Sequence, residues 1–275
     1  MKGLDFAEIA RLVERKQGTS LEGLATDVVP VAGGWMVFDT PGSPVNKVCG
    51  LGFHGVPTDA ELDRMITFFT ERGAEPKVEL CPFVPRALME GLGKRGFVLQ
   101  EFENVLIRDL QRTGEIRSLL PWGWPVGVSI EKVDPTNPTL VDDYIRVAFS
   151  GFFPEGMELS EGLMDFGRRF AKARGYDLYV ARVNGEVVGA AGCESGNDVT
   201  LLFGASVKPA FRRRGIQQAL MATRLERGRE LGSRLAMINS GPGISTERNA
   251  TRLGFGVAYS RAVLVRPGEG LVKSS

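Results

Sequence analysis

Apolar residues in this chain recur with two periods, and the alternation between them lays out the secondary structure. Phe6, Ile9, Ala10 and Val13 share one face of a helix that Gly18 closes. Segments 28–31 and 35–39 read as strands on either side of Gly33-Gly34, a two-residue hairpin signal. A strand is predicted within 45–53. A helix over 58–72 follows, opened by Thr58 and Glu61 as a capping box, striped by Leu62, Met65, Ile66 and Phe69, and closed by Gly73. Segment 77–81 predicts a short strand, 85–94 a helix, and 97–110 a strand or hairpin.

Beyond 126 a similar order returns at greater length. Segment 126–133 predicts a strand, and Thr139 with Asp142 opens a helix striped by Leu140, Val141, Tyr144, Ile145, Ala148 and Phe149. A second helix over 160–175 holds Leu163, Met164, Phe166 and Phe170. Strands 178–183 and 187–194 flank the turn Asn184-Gly185. A strand over 199–207, a helix over 215–232, a strand over 235–239, a helix over 245–253 and closing strands complete the chain. Gly96-Phe97 falls against Gly254-Phe255, and Val105, Leu106 and Ile107 against Val263, Leu264 and Val265. Helix 58–72 falls against helix 215–232. The expectation is a duplicated α/β (α+β) architecture, each half a mixed, mostly antiparallel sheet flanked by helices. Its boundaries are 1–112 for a degenerate first domain, 113–126 for a linker rich in Pro, Gly and Trp, 127–268 for the second domain and 269–275 for a tail.

The most informative stretch is 199–232. Its strand is apolar or small on both faces, as expected in the middle of a sheet, and Gly204 within it marks a bulge or a close approach to the backbone. After Pro209 the loop Phe211-Arg212-Arg213-Arg214-Gly215 turns into a helix with no Ser, Thr, Asp or Asn at its first turn. A basic, glycine-containing loop at an uncapped helix start is an anion site.

These residues resemble a known family. RRRGIQ (212–217) is similar to the pyrophosphate loop of the GNAT acyltransferases, whose pattern is Gln/Arg-x-x-Gly-x-Gly/Ala. Arg212 and Gly215 match it and Gln217 departs from its last position. Val207-Lys208-Pro209 before the loop and RLGF (252–255) after it strengthen the likeness to bacterial tandem-GNAT proteins. The resemblance implies acetyl-CoA (coenzyme A) as cofactor. It implies that backbone groups of Ala205, Ser206 and Val207 hold the pantetheine, and that Arg212, Arg213, Arg214, Gly215, Ile216 and Gln217 hold the pyrophosphate. Ser245 and Asn249, four apart on one helix face, resemble the S-x-x-x-N form of the family's fourth helix, whose start approaches the cofactor arm. Ser245 reads equally as a helix cap. The first half has its own capping box, with Asp59 and Glu61 in the opening turn, and these acids would repel a phosphate.

The family's proton-transfer positions hold no ionisable group here. A strand Glu is expected at Leu202 or Phe203, and a Tyr at Ala250. Glu194 and Tyr259 are the catalytic candidates that remain, against readings as a solvated hairpin residue and a sheet residue. Phe152 and Phe153 are expected to line an acceptor pocket. His54, the single histidine, lies in the half without the loop.

Composition narrows the classes. The 275 residues are 43% hydrophobic and 24% charged, and the net charge of +1 argues against a protein that coats nucleic acid. Positive charge is concentrated in 208–234, where Arg224, Arg227 and Arg229 read as a solvated helix face. Three scattered cysteines suggest neither disulfide framework nor metal site, and fit a reducing cytoplasm. No apolar run approaches the roughly eighteen residues that span a membrane. The first residues read as an amphipathic helix rather than a signal peptide. The expectation is a cytoplasmic N-acetyltransferase acting on a small-molecule or peptide amine, with no nucleic acid, membrane or metal, and with a homodimer left open. The alternative is an acyl-CoA-binding sensor or scaffold with weakened chemistry.

Overall fold

The computed structural model describes residues 5–112, 114–152 and 156–273. The chain forms two compact units, 1–105 with 257–275, and 106–256.

The first unit begins with helix α1 (Phe6–Thr19), capped reciprocally by Asp5 and Glu8. Strands β1 (Asp27–Val31) and β2 (Gly34–Phe38) form the hairpin, but its turn is Ala32-Gly33, one residue earlier than expected. Both turn residues have positive φ, at 41° and 84°, the two-residue geometry that matches strand twist. Strand β3 is only Lys47–Cys49. Helix α2 (Asp59–Thr70) has the expected capping box, with Glu61 N donating to Thr58 Oγ1 and Thr58 N to Glu61 Oε2. Strand β4 (Lys77–Leu80), helix α3 (Arg86–Lys94) and strand β5 (Val98–Asp109) follow, so 97–110 is one long strand and not a hairpin. Strand β5 counts with this unit as far as Val105. The closing element is also a single strand, β11 (Gly256–Val265), and from Val257 it lies in this unit, antiparallel to β4. The sheet order is β1-β2-β3-β4-β11-β5. The sequence division had assigned 257–268 to the second domain.

The second unit starts with Leu106. Within segment 114–126, Ile116 and Leu120 are buried with Leu106, Met221, Leu225, Ile238 and Phe255. Burying each such side chain contributes about 1.5–3 kcal/mol, so this segment is part of the core. Strand β6 (Val128–Lys132) is followed by helix α4 (Pro138–Phe149), whose cap is Asn137, with Pro138 at the first helical position, rather than Thr139. Ser160 caps α5 (Glu161–Lys172). Strands β7 (Tyr176–Val183) and β8 (Glu186–Gly196) pair around Asn184-Gly185, both with positive φ as the turn requires. Then come β9 (Val199–Val207), α6 (Ile216–Glu230), β10 (Leu235–Ser240) and α7 (Ser245–Arg252). The order is β5-β10-β9-β8-β7-β6, counting β5 from Leu106. Tyr144, Ile145 and Met164 of α4 and α5 bury against Val180 and Ala190 of the sheet, and Ile216 and Leu220 of α6 bury with Ala181, Ala191 and Val207.

Strand, crossover helix, parallel strand, helix and closing strand run as β3-α2-β4-α3-β5 and again as β9-α6-β10-α7-β11. In both runs the crossover joins a parallel pair. Among the described residues, no helix is long and apolar enough to cross a membrane.

Candidate functional site

Strand β9 has two neighbours, and it leaves one of them partway. Against β10 it pairs in parallel only from Val199 to Leu202, opposite Leu235 to Ile238. Beyond Leu202 the ladder with β10 does not continue, so residues 203–207 have no strand partner on that side. Against β8 the ladder shifts: Gly192 faces Phe203, but Ala190 faces Ser206, so β9 carries one extra residue. This is a β-bulge, and Gly204 absorbs it with φ of +57°, a conformation a side chain resists. The expected bulge is therefore present, next to the free edge.

The loop after β9 is basic and ends in an uncapped helix start. A short turn (Pro209–Phe211) leads to Arg212, whose Nε donates back to the Val207 carbonyl at 3.1 Å. Arg214 lies over the Phe211 ring, 5.2 Å from its centroid. Arg212, Arg213 and Arg214 are all exposed. Gly215, at φ +78°, is the N-cap of α6, and no side chain caps the helix. A Cβ here would have room, its nearest neighbour being Pro125 Cβ at 3.8 Å, so backbone conformation and not space calls for glycine. The start of α6, with Ile216 and Gln217, combines free N–H groups, the positive end of the helix dipole and three cations, a set that fits a pyrophosphate.

The two residues expected from the fourth helix are placed differently. Asn249 bonds α6, donating to Gln217 Oε1 at 2.7 Å and accepting from Gln218 Nε2 at 3.2 Å. Ser245 is the first helical residue, not a cap; Ile244 holds the cap position, and the loop is held by Gly243 N donating to Glu247 Oε2.

The positions where a base and an acid are expected are apolar in space as well as in sequence. Leu202 and Ala250 are core residues, and Phe203 stacks near Phe170 and Tyr176 at 5.2 and 5.6 Å. Glu194 is buried on β8 opposite Leu201, not solvated in the hairpin. Tyr259 is buried in the first unit, its hydroxyl donating to Glu14 at 2.6 Å; burial and the adjacent carboxylate raise its pKa. Phe152 is exposed, and Phe153 lies outside the described residues.

The arginines of α6 correct the solvated-face reading. Arg227 pairs with Asp177 at 2.5 Å, and Arg229 donates to the carbonyls of Leu110, Arg112 and Gly114. Arg224 is completely buried and reaches the carbonyls flanking the bulge. No local pattern distinguishes it from its neighbours; only the place of the bulge does.

An open cleft of about 670 Å³ adjoins the end of β9, lined among others by Arg146, Ser150, Glu158, Met164, Arg168 and Arg212. Arg168 is held by Asp142, Glu161 and Asp165. Ser150 Oγ lies 3.3 Å from Ser206 Oγ, which brings the end of α4 against the strand edge.

Residues 140–255 match the model of the acetyltransferase (GNAT) family. No match was found among curated proteins. Among solved structures, a GCN5-related N-acetyltransferase from Kribbella flavida is 19% identical. Its TM-score is 0.68, and the match covers 94% of this chain and 96% of that one. A tandem GNAT protein from the clavulanic acid biosynthesis pathway is 19% identical over 84% of this chain and 78% of that one, with a TM-score of 0.59. A GCN5-related N-acetyltransferase from Sphaerobacter thermophilus is 16% identical over 96% and 95%, with a TM-score of 0.57.

Proposed function

From the premise that residues 140–255 belong to the GNAT family, we propose that the chain is an acetyl-CoA-dependent N-acetyltransferase acting on an amine of a small molecule or peptide. One observation carries this reading. The β9 edge that opens after Leu202 and bulges at Gly204 leads without interruption to the uncapped, arginine-flanked start of α6.

When bound, acetyl-CoA supplies the acetyl group as a thioester. Ala205, Ser206 and Val207 would hold the pantetheine through the backbone of the open edge. Arg212, Arg213, Arg214 and the N–H groups that follow Gly215 would hold the pyrophosphate. A backbone N–H at the bulge would be the donor available to a thioester carbonyl, an effect worth about 3 kcal/mol where such donors have been removed from other enzymes. The cleft beside Ser206 receives the acceptor. With Leu202, Phe203 and Ala250 where a base and an acid are expected, catalysis rests on placement. Holding amine and thioester together supplies up to roughly 7–11 kcal/mol in ideal cases.

The test is to incubate the protein with acetyl-CoA and a panel of primary amines while following release of the free thiol. Amine-dependent release supports the reading. Coenzyme A binding without release for any amine, at any pH, makes the chain a sensor or scaffold instead.

A further inference from the structure

Arg224 sits where a charge is costly, and among the described residues no carboxylate pairs with it. The residue is fully buried on α6. Its Nε donates to the Leu220 carbonyl of its own helix at 3.0 Å, and its Nη1 to the carbonyls of Gly192 at 3.0 Å and Phe203 at 3.3 Å. Its Nη2 has no partner among the described residues, and no carboxylate pairs with it. Burial lowers its pKa to about 10, so it stays protonated at neutral pH. A buried cation without a counter-ion carries a desolvation cost that its hydrogen bonds to three carbonyls must offset, so it is a poor device for stability alone.

Its partners suggest another. Gly192 and Phe203 face each other at the last ladder position before the bulge, and Phe203 immediately precedes Gly204. The register shift begins at this pair, and a single guanidinium nitrogen gathers both carbonyls. Arg224 lies on the same helix whose start forms the anion site, two turns beyond Ile216. Tyr144 approaches the bulge as well: its hydroxyl is 3.7 Å from where a Cβ on Gly204 would lie.

We propose that Arg224 is a positioning residue for acyl transfer, fixing the backbone of the bulge through Phe203 and Gly192 and holding a permanent positive charge beneath the edge that carries the thioester. This rests on the acetyltransferase reading. In that reaction the amine nitrogen forms a bond to the acetyl carbon and the C–S bond breaks. The electron pair leaves on sulfur, and the proton of the attacking amine passes to solvent. Negative charge grows on the carbonyl oxygen and then on the thiolate, and a fixed cation in a dry, preorganised setting favours both. No side-chain acid stands at the sites where one is expected, which makes such a charge the more consequential.

The experiment compares wild type with Arg224→Met and Arg224→Lys. Thiol release gives kcat and the acetyl-CoA KM, with whichever amine of the panel reacts fastest. Calorimetry with coenzyme A gives Kd, and hydrogen exchange reports the amides of 203–206. Arg224→Met is expected to fold, to keep the coenzyme A Kd within about threefold, and to lose kcat by about tenfold or more, less than the 10²–10³ for removing a direct oxyanion donor. Its bulge amides exchange faster than those of wild type. Arg224→Lys returns a cationic donor, although burial opposes an ammonium charge more than a guanidinium one, and is expected to recover part of kcat. The proposal is overturned if Arg224→Met turns over within threefold of wild type, or if Kd worsens in step with kcat. Should Arg224→Met not fold, Arg224→Gln takes its place with the same expected outcomes. If wild type does not bind coenzyme A, the acetyltransferase reading fails by itself. The exchange comparison then decides the bulge-holding role, with unchanged amides at 203–206 overturning it.

Discussion

The Tyr259 hydroxyl donates to the carboxylate of Glu14 at 2.6 Å, joining two residues 245 positions apart in the sequence. Both are buried. Beside them Arg261, equally buried, lies 2.9 Å from Glu79 and is also bonded to Glu103. Burial raises the pKa of Glu14, against the opposing pull of Arg261 and Tyr259. The closing strand is thus anchored in the first unit by charge and hydrogen bonding as well as by its ladder.

Tyr259→Phe removes one donor from a dry carboxylate. It is expected to lower stability by about 1–3 kcal/mol, measured by urea unfolding. Turnover is expected to fall by less than the roughly hundredfold that marks the loss of a general acid or base, and the same holds for Glu194→Gln. A hundredfold loss in either variant, with folding and coenzyme A affinity intact, identifies the acid or base that the reading omits.

Gly215→Val tests the anion loop. The native φ of +78° is one that a β-branched residue resists by about 1–3 kcal/mol, so the helix start must distort. Affinity for coenzyme A is expected to weaken about tenfold or more, since 1.4 kcal/mol is one decade. Calorimetry that finds unchanged affinity in a folded variant excludes this loop as the pyrophosphate site.

One coenzyme A is expected per chain. In the first unit, the crossover helix α2 already satisfies its start through Thr58 and Glu61, with Asp59 adding negative charge. A phosphate there would meet carboxylates where α6 offers arginines. Titration to saturation counts the sites, and a stoichiometry near two contradicts this account.

Asp177 gives a pH-dependent prediction. Burial alone would raise its pKa, but bonds from Lys132 and Arg227 outweigh burial and hold it below the usual 3.8. A carboxylate with a depressed folded-state pKa stabilises the fold above its unfolded value. That contribution is lost as pH falls through the folded value. Asp177→Asn is therefore expected to cost about 1–2 kcal/mol at neutral pH, discounted for the partial exposure of both cations. The gap from wild type should close as the pH is taken below 3.8. Unfolding curves at both ends of that range check it, and a gap that stays constant refutes it.

What the sequence determined by itself is what short-range chemistry decides. Thr58 with Glu61 opens a helix wherever the chain goes, because the donors and acceptors involved lie three residues apart. Asn184-Gly185 turns a hairpin because both residues tolerate positive φ. Gly204 marked the bulge, and the absence of a capping side chain before Ile216 marked the uncapped helix start, before any neighbour was known. Tertiary structure alone decided which strand β11 joins, since a strand's own alternation fits any matching edge. It drew Ile116 and Leu120 of a Pro- and Gly-rich segment into a core that their sequence neighbours do not reveal. It also separated Arg224 from Arg227 and Arg229. On a helix wheel all three are charged residues on a basic helix, and water is the usual partner. One of them meets the Gly192 and Phe203 carbonyls beside the register shift between β8 and β9, and that shift is set by pairing between strands, not by the helix that answers it.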